Sequence, residues 1–387
     1  MKWLKAVKQA LAALLLFFLI LILGVGTLLV TNYSHLGRLT KIVGLIQTQY
    51  LEEVSWETLV DGAIRGIADS LDEYSSYQDA KASEALMSTI YGRFGGIGIH
   101  ISENPDRLIV ARPIQNSPAA QAGLETGDEI VKIDGIEVSS ITQNEAIERL
   151  RGEAGTSVTV GVFRARTQEY FEVTLTRAII NVPSVEWVAY PGDPEIAIID
   201  ISNFSVHTGE EFDAILEQLN AQHYRGYIID LRNNLGGEFM AAVHVASRLV
   251  SEGPIVHTVD RRGRMETQDA TASYMGRPFV LLVNEYSASA SEIVAGAIKD
   301  NASGPLIGTT TFGKGVVQTL YELDASTGLK LTTEKYLTPL QNDIHKIGIK
   351  PDIEVKLQER ERLTIRPTQL PVDSQMQKAY ETLKAIS

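Results

Sequence analysis

The stretch Pro-Phe-Val-Leu-Leu-Val-Asn-Glu-Tyr-Ser-Ala-Ser-Ala-Ser-Glu-Ile, residues 278–293, predicts a buried strand, a tight turn and a helix in succession. Val280 to Val283 is a short apolar run, and small residues follow it at 287–289. Apolar residues then recur at helical spacing over 293–298. Ser289 is therefore predicted at the start of a helix, where unpaired N–H groups and the helix dipole favour negative charge.

The same pattern has a second interpretation, because Ser289-Ala-Ser-Glu292 also fits a capping box. In that motif the hydroxyl accepts from the N–H three residues on, and the carboxylate reaches back. Ser289 is the candidate nucleophile, and Ser287 and Ser291 are alternative nucleophiles in the same segment. The position at the helix start favours Ser289 among the three.

A lysine between two glycines, Lys314, lies 25 residues after Ser289 and is predicted on a turn that precedes a strand. A serine hydroxyl must lose a proton before it attacks a carbonyl, and a lysine accepts that proton only when neutral. Because the pKa of a free lysine is about 10.4, burial would have to lower it. Gln318 could hydrogen-bond the amine without adding a charge. The predicted catalytic residues are Ser289, Lys314 and Gln318.

A second strand, turn and helix is predicted within an α/β region at 178–357. The strand at 227–231 precedes Asn233-Asn-Leu-Gly-Gly237, and a helix follows. If this strand neighbours the one before Ser289, the N–H of Gly236 or Gly237 and that of Ala290 could face an oxyanion. An ordinary turn is the alternative.

Composition excludes several classes of site. The 387 residues include 35 Lys and Arg against 48 Asp and Glu, a formal net charge of −13, and no basic stripe occurs. Nucleic acid is therefore not an expected partner. The absence of cysteine excludes thiol chemistry, and the seven histidines lack metal-ligand spacing, so neither a metal nor another cofactor is predicted.

The N-terminal residues predict a membrane anchor. Residues 1–9 are cationic, and Ala10 to Val30 is a run of 21 uncharged residues, long enough to span the roughly 30 Å hydrocarbon layer. A cleaved secretory signal would be shorter, and a buried core helix is the other alternative. We expect a single-pass protein with a cytoplasmic N-terminus and its remaining domains outside the cytoplasm. The helical pattern at 31–91 is expected to pack on the rest of the chain or on a second subunit, so a homo-oligomer is possible.

Residues 92–177 have a different texture, with short predicted strands, glycine-rich turns and short helices. The segment Phe94-Gly-Gly-Ile-Gly-Ile99 is followed by Ser117-Pro-Ala-Ala-Gln-Ala-Gly123 and by a strand that enters the turn Asp134-Gly135. This order resembles a PDZ domain. Gly95, Gly96, Ile97 and Gly98 are the expected peptide-end site, where backbone N–H groups hold a terminal carboxylate and the ligand adds a strand.

Several long motifs occur together over residues 55–355. They are Leu59-Val-Asp-Gly-Ala-Ile-Arg-Gly66, Tyr74-Ser-Ser-Tyr77, Phe94-Gly-Gly-Ile-Gly98, Asp230-Leu-Arg-Asn-Asn-Leu-Gly-Gly237, Ser287-Ala-Ser-Ala-Ser-Glu-Ile293, Thr311-Phe-Gly-Lys-Gly-Val-Val-Gln318 and Ile347-Gly-Ile-Lys-Pro-Asp-Ile353. In this order they resemble the carboxyl-terminal processing peptidases, or tail-specific proteases.

The resemblance implies a serine endopeptidase that acts on protein or peptide substrates with accessible C-termini. It also implies a crotonase-like α/β core with an inserted PDZ domain, and a Ser289–Lys314 dyad assisted by Gln318. Glu73 and Leu235 stand where this family usually has proline, and no peptidoglycan-binding domain is recognisable after the core.

The expected division of the chain is a basic segment 1–9, an anchor 10–30, a helical region 31–91, a PDZ domain 92–177, a protease core 178–357 and a C-terminal tail with a helix 358–387.

Three other functions remain open. Gly308-Thr-Thr-Thr-Phe-Gly-Lys-Gly315 is close to a phosphate-binding loop, but Gly315 replaces the Mg²⁺-binding hydroxyl and a strand is predicted next. A Ser-His-Asp hydrolase is possible, although no Gly-x-Ser-x-Gly motif occurs. A non-catalytic, membrane-tethered PDZ adaptor is the third.

Overall fold

The computed structural model describes residues 14–20, 35, 37–102, 107–358 and 373–387. The chain forms two compact units, and the boundary between them lies between Tyr77 and Gln78. Of the predicted anchor, residues 14–20 are helical with exposed apolar side chains, and the rest of Ala10–Val30 lies outside the described residues. No helix within the described ranges combines the length and the apolar character needed to cross a membrane.

After the helical residues 14–20, the described part of the first unit continues with α1 at 37–49 and α2 at Trp56–Asp69. Helix α2 begins after Ser55, whose hydroxyl caps it by accepting from the Thr58 N–H at 3.0 Å. A turn after α2 is closed by Asp72, whose carboxylate accepts from the Tyr74 N–H at 2.8 Å. Strand β1 (Ser76–Gln78) follows at the boundary of the two units.

The second unit starts with a helix and a small β domain. Its elements are α3 (Ala80–Tyr91), β2 (Arg93–Gly96), β3 (Ile99–Ile101), β4 (Val110–Pro113), α4 (Pro118–Gln121), β5 (Asp128–Ile133), β6 (Ile136–Glu137), α5 (Gln143–Leu150), β7 (Ser157–Arg164), β8 (Glu169–Thr176) and β9 (Ala178–Asn181). An antiparallel sheet of order β6-β5-β7-β8 and the pair β3-β4 enclose a separate hydrophobic core. Strand β2 pairs with β9.

The larger domain of the second unit is a mixed α/β structure. Its elements are β10 (Val185–Tyr190), β11 (Asp193–Ile201), α6 (Thr208–Ala221), β12 (Gly226–Asp230), α7 (Phe239–Leu249), β13 (Pro254–Asp260), β14 (Met265–Asp269), β15 (Phe279–Val283), α8 (Ala290–Asp300), β16 (Leu306–Gly308), β17 (Val316–Glu322), β18 (Gly328–Leu337), β19 (Ile353–Glu354) and α9 (Ser374–Ile386).

A six-stranded sheet of order β10-β11-β12-β15-β16-β19 forms the centre of this domain. Strands β11, β12, β15, β16 and β19 run parallel, and β10 is antiparallel to β11. Side chains alternate between the two faces, as the pleat of a strand requires. Ile229 and Leu281 pack with α6, α7 and α8, whereas Ile228 and Leu282 pack with α9.

Strands β12 and β15 are parallel neighbours, with Ile229 opposite Leu281. The loops that follow them, 231–237 and 284–289, therefore emerge at the same edge of the sheet. This confirms the condition on which the predicted oxyanion site depends. Ligands of open α/β sheets bind at this carboxyl edge.

A second, antiparallel sheet contains β17, β18, β13 and β14. Strand β17 begins two residues after Lys314, so the turn that carries this lysine leads directly into that sheet.

Candidate active site

A cavity of about 590 Å³ lies at the carboxyl edge of the central sheet. Among its lining residues are Gly237, Ser289, Ala290, Lys314 and Gln318. The structure therefore brings together five of the six residues predicted to act in catalysis or to hold an oxyanion. Much of the remaining wall is apolar, and it includes Leu86, Ile90, Val206, Leu235, Phe239, Ile293, Val316 and Leu320.

Ser289 is the N-cap residue of α8, with backbone angles φ 55° and ψ −112°. Residues other than glycine rarely adopt this conformation. The Ser289 N–H donates to Glu292 Oε2 at 2.9 Å, which is the carboxylate half of the predicted capping box. The Glu292 N–H donates to the Ser289 backbone carbonyl oxygen at 2.8 Å. The strained turn thus presents a half-buried hydroxyl at the cavity.

The two alternative serines are fully buried and hold the backbone together. Ser287 Oγ donates to the Leu231 carbonyl oxygen at 2.8 Å, and Ser291 Oγ donates to the Asn234 carbonyl oxygen at 2.9 Å. Both bonds fasten the turn after β15 to the loop after β12. Of the three serines, Ser289 is the one that lines the cavity.

The loop after β12 depends on two glycines at positive φ, 100° at Gly236 and 143° at Gly237. A Cβ on Gly237 would lie 2.0 Å from the Phe204 carbonyl oxygen, so no larger residue fits. The Gly236 N–H donates to Asn234 Oδ1 at 2.9 Å. The prediction that Gly236 could supply an oxyanion donor is therefore wrong in this structure, because that donor is already used.

The N–H groups of Gly237 and Ala290 remain as the two candidate donors. Both residues line the cavity. Neither N–H donates a hydrogen bond to another residue of the described chain. Ala290 is 1% exposed, and an unpaired N–H at so buried a residue is rare in proteins. Two available donors beside a candidate nucleophile suit a developing oxyanion.

Lys314 is half-buried on the turn between Gly313 and Gly315. Burial, the largest cause, and the positive charge of Lys330 lower the pKa of the Lys314 ammonium below its ordinary value, while the Glu292 carboxylate raises it. A lowered pKa is the change that the predicted base requires. Sequence reasoning missed Lys330, since only the pairing of β17 with β18 brings it to the cavity.

Gln318 also lines the cavity, next to an irregularity in β17 between Val317 and Gln318. Its Nε2 donates to the Val316 carbonyl oxygen at 3.4 Å, a long hydrogen bond. The amide is thus placed in the same space as Lys314 but is only weakly held.

The sequence identified Glu292 only as a capping residue, whereas the structure gives it a larger role. The side chain is fully buried and accepts four hydrogen bonds. Oε2 accepts from the N–H groups of Ser289 and Lys314 at 2.9 and 2.8 Å. Oε1 accepts from Thr311 Oγ1 at 2.6 Å and from the Gly313 N–H at 2.7 Å. One carboxylate therefore joins the serine turn to the lysine turn.

Tyr336 on β18 makes a second connection between the two turns. Its hydroxyl donates to the Ser289 carbonyl oxygen at 3.1 Å, and its N–H donates to the Gly315 carbonyl oxygen at 3.1 Å. The residue is 1% exposed. No local sequence signal identifies it, because both contacts join segments far apart in the chain.

The PDZ-like domain carries its own groove, a cavity of about 260 Å³ between β3 and α5. Ile97 and Gly98 line it, as predicted, together with Ile99, Ile101, Ile147 and Leu150. Gly95 and Gly96 instead belong to β2, which pairs with β9. A Cβ on Gly95 would lie 2.1 Å from the Gly152 carbonyl oxygen, so close packing explains that glycine. The structure therefore places two of the four predicted peptide-end residues at the groove and the other two in a strand.

The geometry weakens two of the alternatives. The cavity lining contains no histidine, and His257 directs Nδ1 to Thr267 and Nε2 to the Pro339 carbonyl oxygen. A strand follows the Gly313–Gly315 turn, whereas a phosphate-binding loop opens a helix. Within the described ranges, no cluster of three or more His, Asp or Glu is arranged to hold a metal ion.

Three family models match parts of the chain: peptidase family S41 at residues 195–355, a PDZ domain at 95–175, and the N-terminal domain of the activating protease CtpB at 27–82. The carboxy-terminal-processing protease of Bartonella bacilliformis is 36% identical over 335 residues, which cover 84% of this chain and 76% of that protein.

The carboxy-terminal processing protease CtpA of Bacillus subtilis is 35% identical over 336 residues, which cover 86% of this chain and 72% of that protein. A solved structure from Bacteroides fragilis, assigned to the S41 proteases, matches with a TM-score of 0.56 over 88% of this chain and 92% of the other. At 15% identity this likeness shows the fold alone. The extent of the sequence matches confirms the predicted resemblance. The chain therefore belongs to the carboxyl-terminal processing proteases of peptidase family S41, and it is a serine-type peptidase with a PDZ domain.

Proposed function

We propose that this chain is a membrane-anchored, extracytoplasmic endopeptidase that binds the C-terminal ends of protein substrates through its PDZ domain. It hydrolyses peptide bonds with a Ser289–Lys314 dyad assisted by Gln318. The observation that carries the proposal is the shared cavity of Ser289, on its strained helix start, and Lys314, whose pKa is lowered by burial and by Lys330.

In the first step Ser289 Oγ forms a bond to the scissile carbonyl carbon, and its proton passes to the neutral Lys314 Nζ. The carbonyl oxygen becomes an oxyanion that accepts from the Gly237 and Ala290 N–H groups. The C–N bond then breaks, and Lys314 returns the proton to the departing amine. Water, deprotonated by the neutral Lys314, hydrolyses the acyl-serine ester and regenerates the enzyme. Gln318 orients the lysine amine in each step without adding charge.

The dyad is tested with Lys314→Ala in a peptide-cleavage assay. We expect the rate to fall by roughly 10³-fold or more, because a general base and the nucleophile it activates act as a unit. Lys335→Ala is the matched control, since Lys335 also lies at the β17–β18 hairpin but pairs with Asp343 at 3.1 Å. A folded Lys314→Ala protein that cleaves at the wild-type rate would rule out the dyad.

Ser289→Ala separates the protease from the adaptor. The variant keeps the PDZ groove intact, so it should bind peptides with a free C-terminus and cleave none of them. Cleavage of an unfolded protein by Ser289→Ala at the wild-type rate would assign the chemistry to another residue.

The anchor and the topology are also part of this proposal. The 21 uncharged residues from Ala10 to Val30 and the cationic segment before them support a single membrane span with a cytoplasmic N-terminus. Resistance of the membrane-bound chain to alkaline extraction, with the core accessible to added protease from the extracytoplasmic side, tests it. Release by alkali would contradict it.

The parallel order β11-β12-β15-β16 supports a crotonase-like core.

A further inference from the structure

The loop that carries Gly237 is held from two directions. On one side the turn after β15 holds it, through Ser287 and Ser291 and through Asn284, whose Oδ1 accepts from the Asn233 N–H at 2.9 Å. On the other side lies Arg232, four residues before Gly236, with an exposed side-chain fraction of 1%. A cation buried to this extent must have each of its donors paired.

Arg232 divides its donors between its own loop and the C-terminal helix. Its Nε donates to Asp230 Oδ1 at 3.0 Å, and one terminal nitrogen donates to Asp230 Oδ2 at 2.7 Å. The other terminal nitrogen donates to Asp373 Oδ2 at 2.8 Å and to Gln375 Oε1 at 3.0 Å. Burial alone would lower the pKa of this guanidinium, and the carboxylates of Asp230 and Asp373 more than offset it.

Asp373 has two separate functions, one for each carboxylate oxygen. Its Oδ1 caps α9 by accepting from the Met376 N–H at 2.8 Å, while Oδ2 accepts from Arg232. Gln375 has a similar double contact, because its Nε2 donates to the Val355 carbonyl oxygen at 2.7 Å. The first turn of α9 is thus built around the guanidinium.

The remainder of α9 docks independently of Arg232. Met376, Ala379 and Leu383 are buried against the central sheet, and the Tyr380 hydroxyl donates to Asp193 Oδ2 at 2.9 Å. The match to the S41 family ends at residue 355, so it accounts for neither Asp373 nor Gln375. These contacts are a property of this chain that the family match does not describe.

We propose that α9 is part of the catalytic scaffold, and that Arg232 is a positioning residue through which Asp373 and Gln375 set the loop that carries the Gly237 N–H. The inference rests on the proposed function of that N–H as an oxyanion donor. Loss of the Asp373 contact leaves a buried donor unpaired, so Arg232 must shift or admit water. The loop 233–237 follows it directly in the chain and shifts with it. Displacement of a transition-state donor lowers kcat more than it raises KM.

The experiment compares Asp373→Asn with Tyr380→Phe in the full chain. Asparagine keeps an oxygen for the helix cap but places an N–H₂ group where Arg232 needs an acceptor. Tyr380→Phe removes a different docking contact of the same helix. We expect kcat to fall by about 10-fold in Asp373→Asn with KM changed by less than about 2-fold, and no change of either in Tyr380→Phe. Hydrogen–deuterium exchange of the peptide at 231–240 should accelerate in Asp373→Asn alone.

Equal kcat values and equal exchange in the two variants at matched thermal stability would overturn the inference and leave the proposed function intact. A wild-type chain that cleaves no peptide would overturn the proposed function instead. Hydrogen–deuterium exchange needs no turnover, so it tests the positioning of the loop by Asp373 even if the chain cleaves no peptide. Unchanged exchange in Asp373→Asn would refute this positioning contact.

Discussion

The catalytic cavity and the PDZ groove are both concave sites in the same compact unit, but they are built from different chemistry. In the cavity, buried polar groups fix the reacting loops: Glu292 accepts four hydrogen bonds, and Arg232 joins the loop after β12 to α9. In the groove the wall is largely apolar, with Ile99, Ile147 and Leu150 among its residues. A buried polar network fails when one member is lost, whereas apolar contacts weaken by degrees. Substitutions in the cavity network should therefore abolish catalysis, whereas substitutions in the groove should weaken peptide binding by degrees.

The strongest test of this difference is Glu292→Gln, which keeps the size of the side chain and removes its charge. Wherever the new N–H₂ group is placed, it faces two donors, because each carboxylate oxygen accepts two hydrogen bonds. We expect kcat to fall by at least about 100-fold and the free energy of unfolding to fall by about 3 kcal/mol.

The matched control is Glu285→Gln on the exposed part of the preceding turn. Since the Glu292 carboxylate raises the pKa of Lys314, its loss alone would favour the neutral base. A loss of rate at every pH therefore reports geometry. A variant as active as the wild type would show that the two turns are held in place without Glu292.

Tyr336→Phe is expected to have the next largest effect. It removes one hydroxyl and leaves the N–H of residue 336 bonded to Gly315. Because the strained Ser289 turn loses a hydrogen bond at its carbonyl oxygen, we expect kcat to fall by roughly 10-fold with little change in KM. Steady-state kinetics measures this, with the exposed Tyr321→Phe as the control. An effect confined to KM would place Tyr336 in substrate binding instead.

The groove is tested with Ile147→Ser on α5. We expect KM for substrates with a free C-terminus to rise by about 5-fold, with kcat unchanged, because one apolar contact is removed. Ile141→Ser is the matched control: Ile141 packs on the same core but does not line the groove. Substrates amidated at the C-terminus should not distinguish the variants. If Ile147→Ser instead abolished kcat, the groove would belong to the same cooperative network as the cavity.

The smallest expected effect is that of Lys330→Gln. The positive charge of Lys330 lowers the pKa of Lys314, so its removal raises that pKa and reduces the neutral fraction of the base near pH 7. The acidic limb of the pH profile of kcat/KM should move to higher pH. The rate at pH 7 should fall by less than about 10-fold and recover in alkaline buffer. Lys335→Gln should leave the profile in place, and an acidic shift in Lys330→Gln would contradict the assignment of the base.

Much of the fold was predictable because it depends on local pattern. The strand at 227–231 was predicted to within one residue at either end, and the strand, turn and helix around Ser289 were predicted in their order. Ser55 and Asp72 determine their turns through contacts within three residues. These features need no knowledge of the tertiary structure.

The remaining features depend on pairings between distant segments. Glu292 was visible only as a helix cap, since its contacts with Thr311 and Gly313 join residues about 20 positions apart. Lys330 reaches the cavity through the β17–β18 register. The Gly236 N–H was assigned to an oxyanion because the sequence does not show that the Asn234 side chain turns back to it.

The central claim is that a neutral Lys314 activates Ser289, and reactive-serine labelling with a fluorophosphonate tests it most directly. The modified peptide is mapped by mass spectrometry, and the labelling rate is followed against pH in the wild type and in Lys314→Ala. We predict a single modification at Ser289, a wild-type rate that rises as Lys314 loses its proton, and almost no labelling of Lys314→Ala. Modification at Ser287 or Ser291, or equal labelling rates in the two proteins, would contradict the account.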